Sequence, residues 1–310
     1  MNSSFFSRWA SILIGLPLLF GVLAGIYQAG FSEFKQRPIK AQQQAESIVG
    51  KVGASLEVIL RGLERSTGLF AEANSWTLNQ LVLQPDSAEL RNMLSKKLLE
   101  AFPEAYSATI STTAGNPLME LELGLMGEVC KQDLRAFVEK GKQRELFLHP
   151  VSDASHIDIM VMVPLQRTQY VFYISFRPDF IVEELAAQQL PGHELVLLRD
   201  DKSNLVEITA AGDRTRNVRN NFLSPTELQR VLASSKVEGT HWMLVDIARD
   251  ELLSSFRFRW TDYSVLIFLV VMLLGLWMVF YLQYLHLKAG RYADELGILN
   301  KELSQASLHD

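Results

Sequence analysis

The sequence predicts an α+β domain held between two membrane-crossing helices. Two apolar runs without a charged side chain, residues 9–32 and 263–285, bracket the chain. Each exceeds the roughly 20 residues that a helix needs to cross a bilayer core, and a helix in lipid satisfies its own backbone. Roughly 230 residues lie between them, enough for one or two hydrophobic cores. Within that stretch the apolar period alternates between helical and strand-like, the pattern of two mixed helix–sheet units. The boundaries are 1–8 for a cytoplasmic tail, 9–32 for the first span and 33–189 for a stalk helix with the first unit. Residues 190–260 make the second unit, 261–286 the second span and 287–310 a cytoplasmic helix.

A net charge of −5, with no basic stripe, argues against a nucleic-acid surface. The single cysteine, Cys130, rules out an internal disulfide and reads as a small buried residue rather than a sensing thiol.

The first apolar run reads as an uncleaved anchor. It is long for a signal peptide, and Tyr27 is too bulky for the position three residues before a cut after Ala29. Arg8 before it, and Lys288 and Arg291 after the second run, suit cytoplasmic ends. Lys35, Arg37 and Lys40 oppose that orientation, but a long loop crosses regardless of its charge. Pro17, Gly21, Gly25 and Ala29 recur every four residues, a stripe of small side chains on which two copies of the span could meet.

From Pro38 to about Phe70, Ala45, Ile48, Val52, Leu56, Ile59, Leu63 and Phe70 keep helical spacing, which predicts a membrane-proximal stalk. A second helix is expected over 88–101. A hairpin then follows, 106–112 and 117–123, turning at Ala114, Gly115 and Asn116. A helix over 131–140, strands over 156–163 and 170–176, and a helix from Pro178 to about Gln188 complete the first unit. The order then repeats. A hairpin spans 193–199 and 205–210, and Ser224, Pro225 and Glu227 spell a capping box for a helix start. Strands at 240–247 and 252–260 close the unit and lead into the second span. Trp242 reads as a core or dimer-face aromatic.

Two ββαββ units behind a long helix, between two spans, resemble the double Cache family of sensor domains. The resemblance covers residues 39–260 and rests on element order. It implies PAS-like units, each a small antiparallel sheet with a ligand pocket on one face. A single Cache unit with a sheet-rich appendage is the alternative, because the second unit is short. The resemblance places the ligand on the sheet of the first, membrane-distal unit. His149, Asp153, His156 and Asp158 cluster at the start of its third strand there, with Tyr106 and Tyr173 on neighbouring strands. A carboxylate could hold an amine beneath an aromatic ring, and Arg167 or Arg177 could hold a carboxylate. The arginine–aromatic pattern of amino-acid-binding relatives does not lie on this sequence, which argues against an amino-acid ligand. Histidine and carboxylate suit divalent ions. Only His156 and Asp158 share a strand face, however, and without a third placed ligand neither a metal nor a cofactor is expected.

Past the second span the apolar residues become heptad-like: Tyr292, Leu296, Leu299, Leu303 and Ala306 form a seam that continues the phase of the membrane helix. The ending at Asn300–Leu303 and Gln305–Asp310 resembles the signalling helix that precedes GGDEF diguanylate cyclase domains, although the GGDEF signature itself is absent. It also resembles a kinase phosphoacceptor helix, in which His309 would be modified. No catalytic motif occurs in the chain. The sequence therefore reads as the input portion of a homodimeric inner-membrane protein. A small ligand binds in the periplasm, both termini are cytoplasmic, and the output is cyclic-di-GMP synthesis by an absent domain. A histidine-kinase sensor or a non-catalytic, membrane-anchored partner-binding protein are the alternatives.

Overall fold

Helix α1 (Ser3–Ala73) opens the chain and runs through Pro38 without a break. The expected new start at Pro38 is not seen. A proline removes one helical donor, but Glu33, Lys35, Gln36 and Arg37 before it are helix-favouring residues that carry the helix across. The computed structural model describes residues 3–121, 128–140, 146–149, 155–202, 204–216, 220–256 and 260–306. The chain divides into two units, Met1–Arg37 with Phe256–Asp310, and Pro38–Ser255.

In the first unit, the side chains of residues 3–19 lie outside the described ones, Pro17 among them. A methyl group built on Gly21 or Gly25 would meet nothing within 4 Å, so both positions of the proposed stripe are open. Among the described residues one helix is long and apolar enough to cross a membrane, over Leu266–Ser304. Phe268, Trp277 and Phe280 are all exposed on it, and a helix apolar on every side suits lipid.

The second unit is built on the stalk portion of α1. Ala41, Ala45, Val49, Val52, Leu56 and Leu60 are buried at three- and four-residue spacing. Helix α2 (Ser75–Leu83) and helix α3 (Ala88–Ala101) follow, and the Ser87 hydroxyl accepts from the Leu90 amide to cap α3. The first sheet comprises β1 (Ala105–Thr112), β2 (Pro117–Leu121), β3 (Ile157–Leu165) and β4 (Thr168–Phe176) in the order β2-β1-β4-β3. Helix α4 (Glu128–Lys140) lies between its two hairpins in sequence, and α5 (Asp179–Gln188) leaves it. Strand alternation divides the faces. Ala108, Ile110, Ile157, Ile159, Phe172, Ile174 and Phe176 belong to one core with Val52, Leu56 and Leu94 of the helices.

The second sheet comprises β5 (His193–Arg199), β6 (Leu205–Thr209), β7 (Gly212–Asp213), β8 (Val231–Val237) and β9 (Trp242–Ala248), ordered β7-β6-β5-β9-β8. Its Leu195, Leu197, Ile208, Trp242 and Leu244 join the same core. The capping box at Ser224 forms as expected, but it starts only the single-turn helix α6 (Pro225–Leu228). Two expectations fail here. Strand β8 was hidden because it is an edge strand with polar Ser234, Ser235 and Lys236, whose charge and hydroxyls suit an open edge. The strand expected over 252–260 is instead helix α7 (Asp250–Ser255) where it is described, and Asp250 and Glu251 favour a helix N-terminus. Helix α8 (Trp260–Ala306) ends the described chain.

Candidate functional site

The second face of the first sheet is polar in its middle. Register places Ser107 of β1 opposite Ser175 of β4, and Ser175 opposite Asp158 of β3. The next row on that face is Thr109, Tyr173 and Met160. Helix α4 covers this face. Its buried side, Cys130, Asp133, Leu134 and Phe137, follows the i, i+3, i+4, i+7 rule, and its apolar members pack with Met160, Val171 and Tyr173 in a small separate core. The helix thereby lowers a thiol and a carboxylate onto the row that carries Asp158.

Two histidines complete the arrangement. His149 and His156 pair as an antiparallel bridge just before β3, exchanging backbone hydrogen bonds of 2.8 and 3.2 Å. The Cys130 Sγ lies 3.3 Å from both His149 Nδ1 and His156 Nε2. His149 Nδ1 is 2.9 Å from one Asp158 oxygen, and His156 Nε2 is 3.5 Å from the other. On its outer side His149 Nε2 lies 2.8 Å from an Asp133 oxygen. The Ser175 hydroxyl donates to Asp158 at 2.8 Å and stands 2.9 Å from the Tyr173 hydroxyl. The Tyr106 ring stacks on His156 at 5.4 Å. One ligand atom from each of Cys130, His149, His156 and Asp158 lies within 4.8 Å of the others, and all four residues are buried. By donor type this is a set that can hold a metal ion.

The electrostatics follow from burial among opposite charges. Burial works against a charged His149, but hydrogen bonds to Asp133 and Asp158 outweigh it and push the imidazole up to about 12. Burial likewise opposes the charged His156, and Cys130 with Asp158 raises it. For Cys130 and Asp158 burial favours the neutral form, yet the two imidazoles hold the thiol and His149 holds the carboxyl below their ordinary values. Burial, then the charge of Asp158, pushes the Tyr173 phenol well above its ordinary value, so it stays a neutral donor.

Of the residues expected from the sequence, Tyr106, His149, His156, Asp158 and Tyr173 meet at this site. Asp153 lies outside the described residues. Arg167 and Arg177 do not join them: Arg167 sits exposed in the β3–β4 turn, and exposed Arg177 follows β4 with its amide on the Glu104 carbonyl. Sequence reasoning missed Cys130, Asp133 and Ser175. The signal for the first two was the spacing they share with Leu134 and Phe137, which shows once the helix begins before Cys130 rather than at Lys131.

The site is wired to the second sheet through residues 146–149. Leu146 pairs with Thr240, donates to the Gly239 carbonyl at 3.0 Å and accepts from the His241 amide at 2.7 Å. The Leu148 amide donates to buried Glu207 at 3.0 Å. Phe147 lies 4.4 Å from the His149 ring and 4.0 Å beneath the Arg199 guanidinium. His149 therefore adjoins Leu148, whose amide is held by a buried side chain of the other sheet.

No protein-family model matches the chain, and no curated protein matches it. Solved structures resemble it in backbone arrangement. An extracellular ligand-binding receptor from Desulfohalobium retbaense is 14% identical over 64% of this chain, with a TM-score of 0.43, and the chain spans only 39% of that receptor. The ligand-binding domain of the Campylobacter jejuni chemoreceptor Tlp3 in complex with L-valine is 9% identical, over 71% of this chain and 97% of its own, with a TM-score of 0.47. A domain from Vibrio parahaemolyticus, of a protein assigned to the sensory box/GGDEF family, is 13% identical over 71% and 99%, with a TM-score of 0.44.

Proposed function

We propose that the chain is the sensory input portion of a transmembrane signalling protein. In this reading Pro38–Ser255 faces the periplasm and receives a small ligand at the face between α4 and the first sheet. Both ends lie in the cytoplasm, two copies pair along the first span and the heptad seam, and the response passes to a diguanylate cyclase beyond the chain. The observation that carries the reading is α8, one uninterrupted helix from Trp260 to Ala306. It runs from the apolar segment into exposed Tyr292, Leu296, Leu299 and Leu303. A helix that leaves the membrane in register with an apolar seam can pass a rotation or a piston shift to whatever it joins.

The reading is tested by fusing the full chain to a diguanylate cyclase domain and reading cyclic-di-GMP. One residue inserted after Gly290 rotates the seam by about 100°, and we expect output to change sharply. Output indifferent to the insertion would exclude rigid transmission through α8.

A further inference from the structure

We propose that Cys130, His149, His156 and Asp158 form a closed, four-ligand site for a zinc-class divalent ion. The inference deepens the sensory reading and rests on it only in making the ion the ligand that the site answers to. Cys130 supplies the placed ligand that the strand pattern alone lacks.

Geometry is the first argument. Bonds of about 2.0–2.1 Å to nitrogen or oxygen and about 2.3 Å to sulfur give a tetrahedron with edges of roughly 3.3–3.6 Å. The two sulfur–nitrogen edges are both 3.3 Å, and the His156–Asp158 edge is 3.5 Å. His149 Nδ1 meets the other Asp158 oxygen, at 2.9 Å; with one donor atom per residue all four lie within 4.8 Å, and closing the tetrahedron on a single oxygen requires a turn of that carboxylate.

The second argument is the outer partner. Asp133 takes the Nε2 side of His149 and leaves Nδ1 facing the thiol and Asp158. A histidine ligand whose other nitrogen donates to a carboxylate is the usual support of a protein-bound metal. Charge balance is the third. A thiolate and a carboxylate neutralise a divalent ion while both imidazoles stay neutral, which suits a site whose four residues are each no more than 3% exposed. The His156 Nδ1 is buried without a hydrogen-bond partner among the described residues, so that ring is held through its inward nitrogen and its stacking on Tyr106.

The donor set chooses the ion. A thiolate with two imidazoles selects a borderline-soft transition ion over magnesium or calcium, which take oxygen ligands. Four protein donors fill a tetrahedron and leave no open position, so the ion would be held rather than used for hydrolysis. Its ligands come from α4, the 146–149 segment and the start of β3. Loading the site would clamp helix to sheet and fix the residue beside the link to the second sheet.

The test uses the full chain in detergent, stripped with a chelator and titrated with cobalt(II), then with zinc against a chromophoric competitor. We expect one ion per chain and a thiolate-to-cobalt absorption band that Cys130→Ser abolishes. Asp133→Asn keeps all four donors, so it should keep the band while weakening affinity about 10–100-fold. No binding by the wild-type chain would overturn the assignment, and so would a band that survives in C130S. The cyclase fusion separates the two readings. An ion that binds while output ignores zinc and chelator leaves the metal site standing and removes its sensory role. A fusion that answers a small solute while no ion binds does the reverse.

Discussion

The two sheets bury charge in opposite ways. In the second, the buried charges are held in separate pairs and small networks. Glu207 accepts from the Trp242 indole at 2.6 Å and the Leu148 amide at 3.0 Å and faces Arg199 and Arg214, while His193 pairs with Asp246 at 2.8 Å. In the first sheet a thiol, two imidazoles and a carboxylate crowd onto one point, with a second carboxylate behind them. Paired charges are what a fold needs to hide polar atoms. Four convergent donors exceed that need, and the excess is the observation from which the ion site is proposed.

The largest effect expected is on the structural side of the comparison. Glu207→Ala leaves the Trp242 indole N–H, the Leu148 amide and two arginines without their buried acceptor. Breaking a buried charged network by removing one partner costs about 3–5 kcal/mol. Thermal unfolding of the full chain in detergent should show a large drop in midpoint. Because Leu148 adjoins His149, cobalt affinity should fall as well; a normal affinity would show that the two sheets are uncoupled.

A double-mutant cycle sharpens the contrast. His193→Ala and Asp246→Ala should each cost about 1–3 kcal/mol by stranding a buried partner, and the double variant should cost less than their sum. Zinc should raise the melting midpoint of all three variants as much as that of the wild type, and of Cys130→Ser not at all. If zinc stabilised C130S equally, the distinction between paired and convergent charge would collapse.

The comparison also explains what the sequence could reveal. Both hairpins of the first sheet were legible because apolar and polar residue types alternate through 107–111 and 156–159, although both faces turn out to be buried there, and that alternation put Tyr106, His156, Asp158 and Tyr173 near one another. The capping box at Ser224 was legible because it is local chemistry. Cys130 was not, since a single buried cysteine looks like any small core residue until the helix is begun at Glu128 and Asp133 falls on the same side. Asp133 alone is one charge among many on a helix. Strand β8 and helix α7 were misread because an edge strand is half exposed and a six-residue helix has too short a pattern to separate from a strand.

The smallest effect separates exposed from buried carboxylates within the second sheet. Burial slightly disfavours the charged Asp200, but His241 at 2.9 Å and Lys236 at 3.2 Å outweigh it and hold the carboxyl below its ordinary 3.8. A carboxyl lowered by folding adds stability that is fully present above 3.8 and is lost as pH falls through its folded value. Burial raises Asp246 above 3.8 against the pull of His193, so its contribution runs the other way and declines as pH rises from 3.8 through the folded value. Asp200→Asn should therefore lower the melting midpoint modestly at about pH 7, with the gap to wild type closing toward about pH 3, whereas Asp246→Asn should show no such closing. A gap for D200N that is equal at both pH values would mean that the contacts of Asp200 with His241 and Lys236 contribute nothing to the fold.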